Sequence, residues 1–439
     1  MITLGIETSC DETALALIET SSPAIGAVGA GGSIECRVIG SLVHSQAALH
    51  SAYGGVFPTL AKREHGKNIA ALLHKLLIGS EAAITKCDSR ISDQAFSQAV
   101  AKFKEELNGQ NPELIDSLAD ADFLKDVPPI DRIAVTEGPG LEPALWVGIS
   151  FAEFLSKLWS IPLVPVNHME GHIVGSLLES DIASGRSEKL KEPPLPSIAL
   201  LISGGHTELV KIEAGMAGKT RKASKAGAEN SGHFAYTIIG QTKDDAVGEA
   251  FDKAARLLGL PYPGGPHLSK MAEEARQAGI KPSVRLPRPM MKSGDLDFSF
   301  SGLKTAVLYA IRDAEKDALE KNTVNEEKSA VGLNEDFKKG LALEFETAVT
   351  ETLEAKLRSG IEKIGARSII IGGGVSANHT LRASFKKTVG EYSIPLFLPT
   401  HHISGDNALM IALAGALDNA KARSGKLRAN GTKRLGSFT

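Results

Sequence analysis

The sharpest chemical feature of the chain is Asn167-His168-Met169-Glu170-Gly171-His172, directly after the apolar stretch 162–166. Two histidines four apart on a helix project from one face. That spacing lets two imidazoles reach one metal ion. It also fits two ordinary histidines near a helix start, so a third ligand decides between the readings. A zinc-protease helix would read H-E-x-x-H. Here Glu170 stands third in the run and faces another direction, which excludes that chemistry.

Two apolar stretches end in glycine turns. One is Leu200-Leu201-Ile202-Ser203-Gly204-Gly205-His206-Thr207; the other is Ile369-Ile370-Ile371-Gly372-Gly373-Gly374-Val375-Ser376-Ala377-Asn378. Without a Cβ, backbone N–H groups can approach a phosphate or ribose closely. A single such turn is ordinary structural punctuation; two at strand ends in the same half of the chain converge on a nucleotide site. Neither is a P-loop, and neither has the spacing of a dinucleotide fingerprint. Three carboxylates sit where such a site could use them: Asp11 in a strand–turn–strand, Asp252 on a helix, and Asp406 at the start of the last long helix. Taken singly, Asp252 also fits a solvated helix face and Asp406 a helix N-cap.

Alternation and helical spacing supply the elements that must hold these groups. The first part runs strand, strand, strand, helix, strand, helix, strand, with strands at 2–7, 13–18, 36–43, 130–135 and 162–166 and helices around 60–77 and 144–159. The second part repeats much of that order. Its strands fall at 197–202, 207–212, 234–239 and 368–371, and its helices at 246–258, 337–357, 377–386 and 406–417. The repeat predicts a duplicated α/β fold: a lobe over 1–165, a second over 166–420, a central cleft and a basic tail at 421–439. Strand ends bearing glycine turns are where such folds bind ligands. Residues 79–129 form an inserted connection whose Phe96, Val100, Phe103 and Leu107 lie at helical spacing, an apolar row expected to pack on its own lobe. The small, basic stretch 214–232 reads as a loop, and charged 315–335 as exposed surface.

Composition narrows the field further. The 439 residues include 42% hydrophobic and 23% charged, a globular balance with cores of useful size. Aromatics are only 5%, which disfavours a stacking platform for single-stranded nucleic acid. Net charge is −3, so any nucleic-acid surface must be local. The basic candidates are Lys219, Arg221, Lys222 and Lys225 in the loop, and Lys421, Arg423, Lys426, Arg428, Lys433 and Arg434 in the tail, where no acid follows Asp418. Such a tail is either a solvated terminus or an arm for tRNA phosphates. Cys10, Cys36 and Cys87 are too few and too scattered for a disulfide scaffold or a zinc knuckle. There is no apolar run near the length of a membrane span, and the acidic N-terminal stretch is unlike a targeting segment. A cytoplasmic protein is expected.

Together the motifs resemble the TsaD/Kae-type tRNA threonylcarbamoyladenosine transferase family. The matching stretches are GIETSCDET at 5–13, HSAYGGVFPTLAKREH at 50–65, GPGL at 138–141 and NHMEGH at 167–172. They continue with LLISGGHTELV at 200–210, DDAVGEAFDKAARLLGLPYPGGP at 244–266, DFSFSGLKTA at 297–306, GGGVSANHTLR at 372–382 and GDNALMIALAGA at 405–416. They keep the family's order over nearly the whole chain. The resemblance implies the actin-like, sugar-kinase-like duplicated fold. It implies transfer of threonylcarbamoyl from threonylcarbamoyl-AMP to the exocyclic amine of the adenosine beside the anticodon of ANN-decoding tRNAs. It makes His168, His172 and Asp406 ligands of one divalent ion, iron or zinc. It places the nucleotide-bearing substrate on Leu201, Ile202, Ser203, Gly204, Gly205, Asp252, Gly265 and Asn378. Bacterial members pair with a shorter paralogue and an ATPase subunit, which are the expected protein partners. Asp11 is the candidate catalytic or amine-orienting carboxylate, and Cys10 reads as structural.

Two features depart from the family pattern: the long connection at 79–129, and Glu142-Pro143 after GPGL, where small residues are usual. Both lie in the lobe used for pairing. An ATP-dependent kinase or ATPase of the same fold is the alternative, since glycine turns and carboxylates also serve phosphoryl transfer. A non-catalytic scaffold is a third reading. Phosphoryl transfer has no use for a His–His–Asp cluster, and a scaffold has no use for intact ligands.

Overall fold

The computed structural model describes residues 1–21, 33–80, 89–180, 188–215, 229–230, 233–322, 333–418 and 427–436. It divides into two compact units. The first comprises Met1–Ser197, Ile212–Thr237 and Phe397–Thr439; the second comprises Ile198–Lys211 and Ile238–Leu396.

The first unit is built on a seven-stranded sheet. Its order is Leu163–Asn167, Arg132–Gly138, Ile2–Glu7, Glu12–Thr20, Ser33–Ser45, Glu188–Lys191 and Leu178–Ser180. The first three strands of the chain form an antiparallel meander, while Arg132–Gly138 and Leu163–Asn167 join it in parallel. Numbered by first appearance, those five strands lie in the order 3-2-1-4-5. The second sheet runs Glu229–Asn230, Phe234–Gln241, Thr207–Ala214, Ser197–Ile202, Ser368–Gly372 and Leu396–Phe397. Setting aside the two-residue Glu229–Asn230, its order is again 3-2-1-4-5. The duplication expected from the repeat of elements is therefore present in the strand topology itself. Ser197–Ile202 and Ser368–Gly372 are buried throughout, which is why they read as continuous apolar runs rather than alternating ones.

The boundary between units differs from the expected break at 165. Residues 166–197, and the chain from 397 onward, group with the first unit. The cause is the helix Ala408–Leu417, every residue of which is buried. It lies against the opening strand so closely that a Cβ on Gly5 would stand 2.3 Å from the Ala408 carbonyl oxygen. It meets His168–Gly175 equally closely, since a Cβ on Gly171 would stand 2.9 Å from Ile411 Cδ1. The last helix thus belongs to the core built by the first strand.

The inserted connection packs on its own unit, as its apolar row predicts. Ser92 caps the helix Asp93–Leu107 by accepting from the Ala95 N–H. Phe96 and Phe103 enter the same core as Leu73, Leu114 and Phe154, with the Phe103 and Phe154 rings 5.0 Å apart.

The tail corrects the expectation of a free basic arm. Residues 427–436 dock on the first unit: Leu427 and Leu435 are buried, and Lys433 is 4% exposed. Lys421, Arg423 and Lys426, the basic loop at 219–225, and Cys87 lie outside the described residues. Among the described residues, no helix is long and apolar enough to cross a membrane.

Candidate metal centre and nucleotide-binding turns

The strand Leu163–Asn167 runs straight into the helix His168–Gly175. Asn167 makes the switch by accepting from the Met169 and Glu170 N–H groups at 2.9 and 3.4 Å. His168 is therefore the first helical residue, and His172 lies one turn on. The third group arrives just before the last helix. The N-cap role that Asp406 also fits when taken singly falls to Asn407: the helix begins at Ala408, and Asn407 accepts from the Met410 N–H at 3.0 Å. Asp406 is thereby left out of the helix start. Its Oδ1 lies 3.1 Å from His172 Nε2 and 3.4 Å from His168 Nε2. The three ligand atoms all fall within 4.8 Å of one another, with both histidines buried. They form the one such cluster among the described residues.

Behind His168 stands a residue that sequence reasoning missed. Glu7 closes the first strand, is fully buried, and places Oε2 3.0 Å from His168 Nδ1. Thr136 donates to the same oxygen at 2.6 Å, and Ser9 donates its N–H to Oε1. Ser9 Oγ lies 3.2 Å from His168 Nδ1. A carboxylate on Nδ1 fixes the ring's orientation and turns Nε2 toward Asp406, an arrangement usual behind metal-bound histidine. The available signal was Glu7 itself, an acid ending an otherwise apolar strand.

The electrostatics suit a cation. Burial disfavours a charged His168, yet Asp406 and Glu7 outweigh it and hold its pKa well above the ordinary range. Burial likewise opposes the Asp406 carboxylate, but His168 and His172 hold its pKa far below normal. Two imidazoles and one carboxylate, mutually oriented and lined with negative charge, fit a divalent transition metal. Glu170 is outside the group of three; it accepts from the Tyr236 hydroxyl at 3.1 Å.

Asp11 is buried beside this centre, and its carbonyl accepts from the Gln46 N–H at 2.9 Å. Its neighbour Glu12 is pushed up to about 9 by burial and by the Asp406 and Asp11 carboxylates. Burial and the Asp11 charge raise the Cys10 thiol as well. A thiol kept neutral is a poor nucleophile, which agrees with the structural role expected for Cys10.

The expected substrate residues of the second unit behave differently. Leu201 and Ile202 are wholly buried, so they underlie the turn instead of lining its open surface. Ser203 closes the turn on itself: its N–H donates to the His206 carbonyl, and its hydroxyl accepts from the His206 N–H. Gly204 and Gly205 are exposed, and a Cβ on either would meet open space. Gly373, at φ +90°, packs so near Ile202 that a Cβ would stand 2.4 Å from the Ile202 carbonyl oxygen, which brings the two glycine turns together. Asp252 Oδ1 accepts from the Gly264 and Gly265 N–H groups at 2.7 and 3.2 Å, leaving Oδ2 for a ligand hydroxyl. The Asn378 side chain is committed to structure. Its Oδ1 caps Leu381, and its Nδ2 donates to Ser269 at 2.8 Å and to Glu346 at 2.7 Å.

Fold and site define a class: a duplicated 3-2-1-4-5 α/β protein with a two-histidine, one-carboxylate cluster in one unit and paired glycine turns in the other. A family model described as TsaD, tRNA N6-adenosine threonylcarbamoyltransferase, matches residues 37–90 and 110–413. The unmatched interval contains the helix Asp93–Leu107. Curated proteins named tRNA N6-adenosine threonylcarbamoyltransferase align over almost the full length. The one from Aromatoleum aromaticum is 36% identical, covering 97% of this chain and 93% of its own. The one from Polynucleobacter necessarius is 37% identical, covering 95% and 92%. A solved structure, the activator of the 2-hydroxyisocaproyl-CoA dehydratase from Clostridium difficile with bound ADPNP, overlays with a TM-score of 0.40 at 12% identity, covering 95% of this chain and 93% of that one. The chain belongs to the tRNA N6-adenosine threonylcarbamoyltransferase family.

Proposed function

We propose that the protein transfers the threonylcarbamoyl group of threonylcarbamoyl-AMP to the exocyclic N6 amine of the adenosine 3′ of the anticodon in ANN-decoding tRNAs, releasing AMP. The observation that carries the reading is the His168–His172–Asp406 cluster, held by Glu7, in a chain of this family. In the transfer, the N6–carbonyl bond forms, the anhydride C–O bond breaks, the electron pair leaves on AMP, and the amine gives up a proton. The attacking group belongs to the substrate, so no enzyme nucleophile is required.

His168, His172 and Asp406 would hold one divalent ion, iron or zinc. A metal bound there supplies Lewis-acid polarisation of donor oxygens. Glu7 keeps the His168 ring oriented. Asp11 is the catalytic or amine-orienting carboxylate. In the second unit, the N–H groups of Gly204 and Gly205 take donor phosphate or ribose oxygens. Asp252 Oδ2 takes a ribose hydroxyl. Ser203, Gly265 and Asn378 complete that surface, and the buried Leu201 and Ile202 support it from beneath. The kinase alternative is not carried further, since phosphoryl transfer leaves the cluster without a role. A cytoplasmic location, a shorter paralogue and an ATPase subunit as partners, and a tRNA-facing basic surface complete the reading.

Reconstitution tests it. The protein is combined with threonylcarbamoyl-AMP and unmodified ANN-decoding tRNA, with and without the two partner subunits, and the nucleosides are read by mass spectrometry. Threonylcarbamoyladenosine and AMP in equal amounts are expected. Phosphorylated product, or no modified nucleoside under any partner combination, overturns the assignment.

A further inference from the structure

Glu7 and Ser9, which hold His168, are themselves held by the turn after Arg132–Gly138. Thr136 donates to Glu7, and the Leu141 N–H donates to the Ser9 carbonyl at 2.7 Å. That turn is gripped from outside by residues 427–436. The Asn430 N–H donates to the Glu137 carbonyl at 2.9 Å, and the Gly140 N–H donates to the Gly431 carbonyl at 3.2 Å. Lys433 forms an ion pair with the Glu137 carboxylate; both side chains are almost wholly buried. Leu427 anchors the segment in the core, and its N–H donates to Glu153 at 3.0 Å. There is no slack, since a Cβ on Gly138 would stand 2.0 Å from the Asn430 carbonyl oxygen. The C-terminal segment therefore fixes both the carbonyl and the side chain of Glu137, one residue from the hydroxyl that holds Glu7.

We propose that Lys433 is a positioning residue for the metal centre: by pinning Glu137, the 427–436 strap sets the turn that aims Glu7 and Ser9 at His168. This rests on the reading of His168, His172 and Asp406 as metal ligands. The ion pair is suited to the task because a buried carboxylate without its partner is strongly unfavourable, so Glu137 holds this geometry only while Lys433 is in place. Outer-shell partners of metal-bound histidine typically change metal affinity by about 10–100-fold.

The test measures Co(II) affinity by chelator competition, the visible spectrum of the Co(II) protein, and the melting temperature of the metal-free chain. Lys433→Met alone can fail to fold, because it strands Glu137. The working variants are Glu137→Gln with Lys433→Met, which neutralises both partners, and Gly431→Ala. A Cβ on Gly431 would stand 2.7 Å from the Gly140 carbonyl oxygen, so that change lifts the strap and leaves the ion pair's residues intact. Each variant should bind Co(II) about tenfold more weakly, with a shifted ligand-field band. Lys433→Arg, which keeps the charge, should restore affinity to within about threefold. Should the double variant fail to fold, Gly431→Ala decides. A lower melting temperature with native Co(II) affinity and spectrum in the folded variants makes the strap a purely structural element and overturns the proposal. Absence of Co(II) binding by the unaltered protein would instead overturn the metal reading on which it rests.

Discussion

In the first unit the reactive groups are side chains, buried and already engaged with one another: Asp406 with both histidines, Glu7 with His168, Thr136 and Ser9. In the second unit the side chains of the motifs are spent on building, and the surface left to a ligand is mostly backbone. Asn378 caps a helix and braces Glu346, Asp252 holds two glycine N–H groups, and Gly204 and Gly205 stand open. The contrast suits the two ligands proposed. A metal ion demands a fixed set of donor atoms and therefore a rigid supporting layer. A phosphate accepts N–H groups of any residue, so a turn that brings the backbone close is enough.

The contrast breaks outright if the metal centre survives loss of its side chains. His168→Ala combined with His172→Ala should leave a folded chain with no stoichiometric metal and no transfer. Metal analysis of the purified protein decides, and one retained ion per chain would mean the ligands lie elsewhere.

Rigid burial in the first unit should also be visible in its response to acid. His65 lies buried between Thr13 and the Cys10 carbonyl, and burial lowers its pKa to about 4. Above the unfolded value of about 6.5 both states are neutral and its full contribution is present. As pH falls from there toward 4, the unfolded chain takes up a proton that the folded chain refuses. Stability is lost at up to about 1.4 kcal/mol per pH unit, roughly 3 kcal/mol in all. Urea unfolding across that window should show the slope in the native protein and a shallower one in His65→Gln; equal slopes would remove His65 as the cause.

Glu7→Gln sharpens the comparison, because it alters only the support of a ligand. Metal should bind about 10–100-fold more weakly by chelator competition, with the fold intact. Native affinity would show that Nε2 of His168 needs no help.

Asn378→Ala probes the opposite half of the contrast and should have the smallest effect. Losing a cap costs about 1 kcal/mol, and stranding part of Glu346 adds to it. The loss should appear in the melting temperature, with nucleotide affinity, read by calorimetry, changing only modestly. A large affinity loss at unchanged stability would make the Asn378 side chain a direct ligand and erase the distinction between the units.

The succession of strands and helices along the chain and the two histidines were legible because periodicity and spacing are local properties of a sequence. Asp406 was legible as the third member of the cluster through the family motif, and the N-cap role that it also fits when taken singly went to Asn407. What stayed hidden depends on contacts distant along the chain. The unit boundary was missed because nothing local says that Ala408–Leu417 seats on Ile2–Glu7. Glu7, Ser9 and Thr136 were missed as support because each satisfies a partner far away or on another strand. Lys433 looked like one more solvated cation in a basic tail; Leu427 and Leu435 on either side were the only cue that this stretch docks.

His172 and Asp406 are 234 positions apart. At about 5–20 residues per second, ribosomes need on the order of 10–50 s to travel from the histidines to the carboxylate. Throughout that interval the nascent polypeptide displays two imidazoles without their anionic counterpart, and without the strap that arrives later still. Binding of the proposed ion by all three groups would thereby wait until Asp406 has been synthesised. Ribosome-stalled chains ending before Asp406 should fail to retain a metal that released chains keep.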